Sequence, residues 1–251
     1  MKTMKNFSNL LFLLAGLTLI VSCTSTSKIQ KNMNSRSYSM AYIMDSKISD
    51  TKNNKTVSID PISFNSELFS DTTTVKREKG WFLPLVFVYI WDSKNKCSQG
   101  KSMIEEDVPS FLKTSLLSEI NRSGNFKVDT LSNSEYQIEL SIDDIKTEGP
   151  YVSKGFFYFA LYVYGYSYSD KAGPALSNLS VSYKLKKNNI VVHSNSFNSQ
   201  KITEQINKRY KNTSILQQDY AVSMVEANSY NFKNIIELIV NDLNVFLNIQ
   251  G

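Results

Sequence analysis

The feature that most constrains this chain is a set of segments in which apolar and polar residues alternate with a period of two. Residues 136–142 alternate strictly, and residues 179–185 do the same. Residues 190–197 follow after a turn at residues 187–189, where two asparagines tolerate the positive φ that a tight hairpin needs. Alternation of this kind is typical of half-buried antiparallel strands, so we expect a sheet with one buried face.

Two regions have the helical period instead. Asp107 stands in the N-cap position of the first helix, with Pro109 just inside and Gly124 placed to end it as a C′ glycine. Near the C-terminus, residues 215–225 form a weak amphipathic helix and residues 231–247 a strong one. Together with the strands, this order predicts an α+β fold, a single antiparallel-rich sheet with helices packed on one face.

An apolar run between these elements is interpreted as a further strand. Residues 85–91 are rich in β-branched and aromatic residues and too short for a typical core helix. They therefore predict a central strand that begins after Pro84. Trp81 and Trp91, the two tryptophans of the chain, are then expected to lie in the core.

Composition limits the classes of protein that remain. The chain has 251 residues, of which 41% are hydrophobic and 20% charged, a balance that excludes wholesale disorder. Two cysteines and one histidine are too few for a disulfide scaffold or a multi-histidine metal site. We therefore predict no metal site. The dispersed glycines form no phosphate-binding loop, and no cofactor is predicted.

The N-terminus carries an export pattern. Two lysines precede the twelve largely apolar residues 10–21, a stretch shorter than the roughly 20 residues that a membrane-spanning helix requires. Ile-Val-Ser-Cys at residues 20–23 completes a lipobox, and the whole resembles a bacterial lipoprotein signal peptide. The resemblance implies removal of residues 1–22, a lipid on the Cys23 thiol and acylation of the new N-terminus.

An acylated Cys23 would hold the protein at a bilayer without spanning it. Residues 24–28 contain no acidic residue, which favours attachment to the outer membrane facing the periplasm; surface display and attachment to the plasma membrane stay open. Residues 23–56, rich in Ser, Asn, Thr and Lys, are expected to form a polar tether, and residues 57–251 one α+β domain. Export also argues against nucleic acid as a partner.

Several of these pieces resemble the small sheet domain shared by many envelope lipoproteins. They are the helix end at residues 119–128, the strand at 136–142 and the hairpin formed by 179–185 and 190–197. The families are the accessory lipoproteins of ABC-type lipid transporters, the curli-secretion lipoprotein and the activator lipoproteins of peptidoglycan synthases. The resemblance implies a role in binding and assembly, and it carries over no catalytic residue.

The most unusual stretch is residues 155–168, which contain 5 of the 14 tyrosines. Turn signals at residues 149–150 and 173–174 isolate it as an insert spanning residues 150–174. Three interpretations stay open: a buried core strand, an aromatic surface that meets lipid or a partner protein, and a membrane-crossing strand of an oligomeric pore. As one strand it would place all five tyrosines on one face, as candidate contacts for a partner or lipid: Tyr158, Tyr162, Tyr164, Tyr166 and Tyr168.

Catalytic patterns are weak by comparison. His193, the single histidine, lies on a predicted hairpin strand, and the sequence has no Gly-x-Ser-x-Gly elbow to supply a nucleophile. The acids at residues 105–107 are explained by charge complementarity with a helix N-terminus. Cys97 stays unpaired if Cys23 carries lipid, and a silent thiol is the simpler interpretation. No catalytic residue is predicted.

The sequence therefore predicts a membrane-anchored lipoprotein that is not an enzyme. We expect a binding or accessory subunit of a transport or assembly complex in the cell envelope, whose partner is an envelope protein or a lipid. An oligomeric pore-forming or ring-forming lipoprotein of a secretion system is the alternative, and a cell-wall or glycan hydrolase is a third. The oligomeric state stays open.

Overall fold

A computed structural model describes residues 25–49, 52–65, 67, 69–85, 88–129, 134–160, 163–209 and 212–249. The predicted signal peptide and Cys23 lie outside these residues. Within them, the helices are α1 (Thr26–Met33), α2 (Val108–Ser123) and α3 (Thr213–Ile249), with a 3₁₀ turn at Lys101–Met103. The strands are β1 (Thr56–Ile59), β2 (Ser63–Phe64), β3 (Thr74–Pro84), β4 (Val88–Ser98), β5 (Lys127–Val128), β6 (Tyr136–Ala160), β7 (Val163–Ala172), β8 (Leu176–Lys187), β9 (Ile190–Ile202) and β10 (Ile206–Arg209).

Strand β6 organises the sheet, because its 25 residues pair with neighbours along both halves. Along its first half, β6 pairs with β8 on one side and with the parallel strands β1 and β2 on the other. Along its second half, β6 pairs with β4 and β7, both antiparallel. β3 extends the sheet beyond β4, and β9 extends it beyond β8. The result is one mostly antiparallel sheet with helices against it, which confirms the predicted α+β class.

The core lies between α3 and the half of the sheet that contains β8. Alternation puts Leu140 of β6 and Leu185 of β8 on the face that α3 covers, and both are fully buried. α3 contributes Phe232, which meets Phe111 of α2 edge to face with ring centroids 5.4 Å apart. Burial of a large apolar side chain is worth about 1.5–3 kcal/mol, so this layer is the main source of stability.

The predicted hairpin is formed by β8 and β9. Asn188 and Asn189 make its turn with φ of 50° and 63°, the left-handed region that a tight hairpin turn requires. Both strands continue beyond the predicted residues, so the ladder between β8 and β9 runs from Leu176 opposite Ile202 to Lys187 opposite Ile190.

The ends of α2 are set by Asp107 and Gly124. The Asp107 carboxylate accepts a hydrogen bond from the Ser110 backbone N–H at 3.2 Å, which confirms the predicted N-cap. Gly124 follows the helix with an ordinary φ of −69°, so it does not supply the left-handed conformation of a C′ glycine. Close packing explains it instead, because a Cβ at this position would lie 2.6 Å from the Ile120 carbonyl oxygen.

The C-terminal region is one helix of 37 residues, where the sequence predicted two amphipathic segments. Asn228 and Asn231 interrupt the apolar stripe, yet both are fully buried and bonded to the sheet. The Asn228 side-chain oxygen accepts hydrogen bonds from Thr147 and Ser177 at 2.9 and 2.8 Å, and the Asn231 amide donates to the Ser177 hydroxyl at 2.9 Å. Polar side chains of the sheet therefore meet polar side chains of α3, and the helix continues.

The strand predicted at residues 85–91 is found in part. Residues 88–91 belong to β4, which pairs with β3 on one side and β6 on the other and is therefore an interior strand of the sheet. The predicted start directly after Pro84 is wrong, and so is the predicted core position of Trp81. The chain turns between Pro84 and Val88, and β3 and β4 form a hairpin at one end of the sheet. The Trp81 side chain is 54% exposed, so this residue does not belong to the core. Apolar residues lie on both sides of the turn, and the run therefore looks continuous in the sequence.

Residues 25–49 differ from the expected polar tether. α1 begins after Ser25, whose hydroxyl accepts a hydrogen bond from the Lys28 backbone N–H, and its Ile29 and Met33 are buried in the core cluster. The Asn32 side chain donates to Gln217 of α3 at 2.7 Å. Two apolar residues one helical turn apart are enough to dock this otherwise polar segment on the domain.

The two turn signals around the tyrosine-rich stretch behave differently. Gly173 follows β7 with φ of +78°, as expected for a turn. Gly149 and Pro150 instead lie inside β6 and pair with β4. A Cβ at Gly149 would lie 2.6 Å from the Ala175 Cα, so glycine is needed there for close packing. Residues 150–160 therefore continue β6, and the tyrosine-rich stretch is not an insert bounded by turns at both ends.

Candidate functional site

The distal parts of β3, β4, β6 and β7 form a four-stranded antiparallel extension of the sheet. The register places the β3–β4 turn and the β6–β7 turn at the same end, since Val88 lies opposite Tyr158 and Ala160 opposite Val163. Both tryptophans of the chain lie in this extension. We call it the aromatic tip and define it as residues 81–85, 88–91, 155–160 and 163–168.

One face of the aromatic tip carries a row of rings. Tyr89 lies between Phe82 and Phe157, with ring centroids 6.1 and 6.0 Å away. Phe157 lies opposite Tyr166, which stacks on Tyr168 with centroids 6.4 Å apart. Alternation along the paired strands assigns the following residues to this face: Phe82, Tyr89, Trp91, Phe157, Phe159, Tyr164, Tyr166 and Tyr168.

The opposite face is apolar as well. Phe156 stacks on Tyr158 with ring centroids 6.5 Å apart, and Ile90 lies opposite Phe156. Gly165 lies opposite Tyr158, and a Cβ there would come within 2.3 Å of the tyrosine ring, so this glycine makes room for it. The apolar residues on this face are Trp81, Leu83, Val88, Ile90, Phe156, Tyr158 and Val163.

Side chains on both faces of the aromatic tip are exposed. Tyr164 is 68% exposed, Tyr166 and Val163 are each 60% exposed, and Phe156 and Phe159 are 42% and 46% exposed. Isolated exposed apolar residues are common on proteins, whereas a contiguous apolar patch marks a site of contact with another protein or a membrane. The exposure excludes the interpretation of this stretch as a buried core strand.

The candidate tyrosines do not share one face. Residues directly opposite one another in a ladder share a face of the sheet. Because the chain reverses between β6 and β7, Tyr158 lies opposite Gly165, while Tyr164 and Tyr166 lie opposite Phe159 and Phe157. Tyr164, Tyr166 and Tyr168 therefore lie on one face and Tyr158 on the other. Tyr162 lies outside the described residues.

The β3–β4 hairpin is absent from the sequence prediction. The strand predicted at residues 85–91 correctly places Tyr89 and Trp91 in an interior strand, but the apolar run is treated as one strand although Pro84 marks the end of another. Proline cannot donate to a strand ladder and is confined to strand ends and edges. In the structure Pro84 ends β3, which pairs with β4 and has no second partner strand among the described residues.

A belt of charge borders the aromatic tip on the side of the core. The Lys154 ammonium lies 2.8 Å from the Asp92 carboxylate, and the Lys94 ammonium lies 2.9 Å from the Glu78 carboxylate. Exposed pairs of this kind contribute about 0–1 kcal/mol each. We call the region the basic belt, because it contains seven lysines and arginines against four acids within residues 76–79, 92–96, 148–154 and 169–171.

A shallow groove of about 310 Å³ lies where the basic belt meets the aromatic tip. Trp81 and Phe156 form part of its apolar lining, and the Lys154–Asp92 pair forms part of its polar lining. The groove can therefore accept a group that is apolar at one end and charged at the other.

His193 lies on β9 and contacts α3 in the body of the domain. Its Nε2 is 2.9 Å from the Asp242 carboxylate, which also accepts hydrogen bonds from the Tyr183 hydroxyl and the Asn195 amide. The imidazole stacks on Phe246 with centroids 4.5 Å apart. Burial by itself raises the pKa of Asp242, but the hydrogen bonds from Tyr183, His193 and Asn195 together outweigh it and hold this pKa below its usual value. The cluster joins β9 to α3.

The other sequence candidates have structural roles. The Glu106 carboxylate accepts a hydrogen bond from the Met40 backbone N–H at 3.0 Å, and Asp107 caps α2. Cys97 is fully buried, and burial raises the pKa of its thiol to about 12, which keeps the thiol protonated and unreactive. Within the described residues, no group of three or more His, Cys, Asp or Glu is placed to hold a metal ion.

Comparison with known proteins yields likeness of fold only. No protein-family model and no curated protein matches the chain. Protein XCC0632 from Xanthomonas campestris, of the DUF330 family model, superposes with a TM-score of 0.47 and 8% identity over 85% of this chain and 99% of that one. A neuraminyllactose-binding hemagglutinin homolog from Helicobacter pylori gives 0.37 and 10% over 81% and 92%, and protein CT253 from Chlamydia trachomatis gives 0.37 and 7% over 75% and 96%.

None of the helices in the described part of the chain combines the length and apolar character needed to cross a membrane. α3 is the longest of the three, and its buried polar residues such as Asn228 bond to the sheet.

Proposed function

We propose that this protein is a lipoprotein anchored through Cys23 to the outer membrane, facing the periplasm. It acts without catalysis, as a binding subunit of an envelope transport or assembly complex, and the aromatic tip is its contact surface. The aromatic tip carries this proposal, because it exposes apolar side chains on both faces of four paired strands. The lipobox at residues 20–23 supports the anchor.

The position of the aromatic tip suits a contact role. The β4–β6 ladder continues without a break in register from Ser98 opposite Glu148 to Val88 opposite Tyr158. The aromatic tip is therefore a direct continuation of strands that begin in the body of the domain. A surface held in this way loses little conformational entropy when it is covered, which favours binding.

A ring of identical subunits is the second candidate, and one observation favours it. Within the described residues, the outer edge of β3 at residues 81–84 and the outer edge of β7 at residues 163–166 pair with no strand. The two edges run in opposite directions, so β3 of one copy can pair antiparallel with β7 of the next. Two apolar faces argue against a water-filled pore, because the strands of such a pore are polar on the side that faces the water.

The proposal is tested with full-length lipidated protein cross-linked in its native cells and then purified. The variant Tyr164→Ser/Tyr166→Ser changes the aromatic tip, at side chains 68% and 60% exposed. The matched control is Ile190→Ser/Val191→Ser at the β8–β9 turn, where the side chains are 68% and 49% exposed. Circular dichroism checks that each protein is folded.

We expect wild type and control to retain the same cross-linked envelope components, and the tip variant to lose them. Equal recovery from all three proteins would contradict a contact role for the aromatic tip. The mass of the detergent-solubilised wild type separates the two candidates, because a ring has a multiple of the subunit mass. In that case the tip variant should no longer have this multiple mass.

A further inference from the structure

We infer that the aromatic tip inserts into a lipid leaflet, and that this leaflet is the one that holds the lipid on Cys23. The inference rests on the proposed anchor and on the proposed contact role of the aromatic tip. It adds the identity of the contacted material, which is the acyl and headgroup region of a bilayer surface.

Both faces of the aromatic tip have the same apolar and aromatic character. A partner protein that packs on a sheet covers one face and leaves the other in water. Phe156 on one face and Phe159 on the other are exposed to nearly the same extent, 42% and 46%. A leaflet surrounds both faces alike, and Tyr and Trp side chains, apolar with a polar end, suit the membrane interface.

The length of the aromatic tip limits the depth to which it can insert into a bilayer. The apolar part of β6, residues 155–160, reaches about 20 Å at roughly 3.3 Å per residue. A strand that crosses a bilayer needs about 9–11 residues for a hydrocarbon core about 30 Å thick. The aromatic tip is therefore too short to cross and long enough to occupy one leaflet.

The outer edges of the aromatic tip restrict the depth further. Within the described residues, backbone groups on the outer edges of β3 at residues 81–84 and of β7 at residues 163–166 have no partner strand. Such groups are costly in the hydrocarbon core but find water and lipid carbonyls near the headgroups. The expected position is thus interfacial, with the apolar residues about 5–10 Å below the headgroup boundary.

The basic belt lies at the depth of the lipid headgroups and supplies positive charge that is complementary to anionic headgroups. Lys154 and Asp92 lie one residue beyond Gly155 and Trp91, at the base of the apolar section. When the aromatic residues occupy the interface, the lysines and arginines of the belt reach the headgroups. Their excess over acids favours an anionic lipid surface.

The first described residues of the chain, which follow Cys23, lie near the same end of the domain. Asn32 of α1 is bonded to Gln217, near the start of α3. Thr213, at that same end of α3, donates to Asp170 of β7 at 3.1 Å, two residues beyond the aromatic tip. Ser25 lies one eight-residue helix away from this point. Cys23 is two residues earlier, within about 7 Å of chain length.

The test uses the two tryptophans, which both lie in the aromatic tip and report on nothing else in the chain. Full-length lipidated protein is reconstituted in vesicles of phosphatidylethanolamine and phosphatidylglycerol. The phosphatidylglycerol is brominated either near the carbonyl end or near the methyl end of its acyl chains. Bromine quenches tryptophan fluorescence on close approach, so the two vesicle types measure depth.

We expect most of the fluorescence of Trp81 and Trp91 to be lost with shallow bromines and much less with deep ones. Replacing phosphatidylglycerol by phosphatidylcholine, with the same shallow bromines, should weaken the quenching. Quenching that is stronger with deep bromines would show a spanning segment and overturn the inference. Full fluorescence in both vesicle types would overturn it as well.

Two variants test whether the bromine quenching results from insertion of the aromatic tip. Phe159→Ser/Tyr164→Ser changes a pair at the far end of the strands, opposite one another in the ladder and distant from both reporters in sequence. We expect this variant to lose the quenching and the control Ile190→Ser/Val191→Ser to keep it. Equal quenching of variant and control would contradict insertion through this end. If the variant fails to fold, the comparison of shallow and deep bromines for the wild type still decides whether the inference holds.

Failure of this inference can be told apart from failure of the proposed function. If the wild type is not quenched but the tip variant still loses its cross-linked components, the contact role stands and the contacted material is protein, so the inference is overturned. If the wild type is not quenched and the tip variant keeps every component, both are overturned.

Discussion

The two halves of β6 belong to one continuous strand and have opposite environments. In the first half, Leu140 and Ile142 face α3 and are almost completely buried, while polar residues occupy the other face. In the second half, Phe156 and Phe159 project from opposite faces, and nearly half of each side chain is exposed. One strand thus passes from the core of the domain into a surface that is apolar and uncovered.

This difference shows that apolar residues in a strand can serve either the stability of the fold or contact with something outside the domain. Apolar area removed from water stabilises the fold by roughly 25 cal/mol per Å², so residues under α3 contribute and residues of the aromatic tip contribute little. Apolar residues that add little to stability require another explanation, and contact with something outside the domain provides it. Substitutions in the two regions should therefore differ sharply in their effect on unfolding.

The largest effect is expected in the core. Phe232→Ala removes a fully buried ring that packs edge to face on Phe111. We expect a loss of about 3–5 kcal/mol in the free energy of unfolding, from lost burial and the cavity left behind. Urea denaturation followed by circular dichroism measures it. A loss no larger than that of an exposed substitution would remove the distinction between the two halves.

The next largest effect is expected where α3 meets the sheet through polar groups. Asn228→Ala leaves the buried Thr147 and Ser177 hydroxyls without their shared acceptor. We expect a loss of about 1–3 kcal/mol by the same denaturation experiment. Asn207→Ala, at an exposed position of β10, is the matched control and should change little. Equal effects would show that the polar contacts of α3 do not contribute to stability.

A smaller, pH-dependent effect is expected at the His193 cluster. Hydrogen bonds hold the pKa of Asp242 in the folded protein below its usual value of 3.8. The stabilisation by this carboxylate is therefore fully present above that value and is lost as the pH falls through the lower folded pKa. Asp242→Asn should cost about 1 kcal/mol at neutral pH.

The matching measurement is the free energy of unfolding from neutral to acid pH. The difference between wild type and Asp242→Asn should shrink as the carboxylate becomes protonated. A difference that stays constant with pH would show that the charge of Asp242 contributes nothing.

The smallest effect is expected at the aromatic tip. Tyr164→Ser changes a side chain that is 68% exposed. Exposed substitutions usually shift the free energy of unfolding by less than about 0.5 kcal/mol. A substantially larger loss in a denaturation curve would mean that the ring is covered by the domain itself, and the contrast with Phe232 would fail.

The sequence predicted the parts of the fold in which pattern and environment agree. Alternation located β8 and β9, because one face of each strand is covered, and the capping residue located the start of α2 at Asp107. It failed where burial does not follow apolar character. Residues 88–91 lie in an interior strand as predicted, but that strand forms one side of an exposed hairpin instead of lying in the core. Asn228 resembles a helix break but is buried in a continuous helix.

The candidate site was predicted only in half. The tyrosines of residues 155–168 drew attention to β6 and β7, but their arrangement on two faces depends on where the chain reverses. The contribution of β3 and β4 depends on long-range pairing with β6, and no local pattern encodes that pairing. Exposure is likewise a property of the assembled sheet.

The central claim is that the aromatic tip serves contact and not folding, and the Phe159→Ser/Tyr164→Ser variant tests it most directly. The free energy of unfolding and the bromine quenching of Trp81 and Trp91 are measured on the same full-length lipidated preparation. The account predicts a free energy within about 1 kcal/mol of wild type together with loss of the shallow quenching. A loss of stability beyond about 2 kcal/mol would contradict it, and so would a wild type that is quenched together with a variant that is quenched equally.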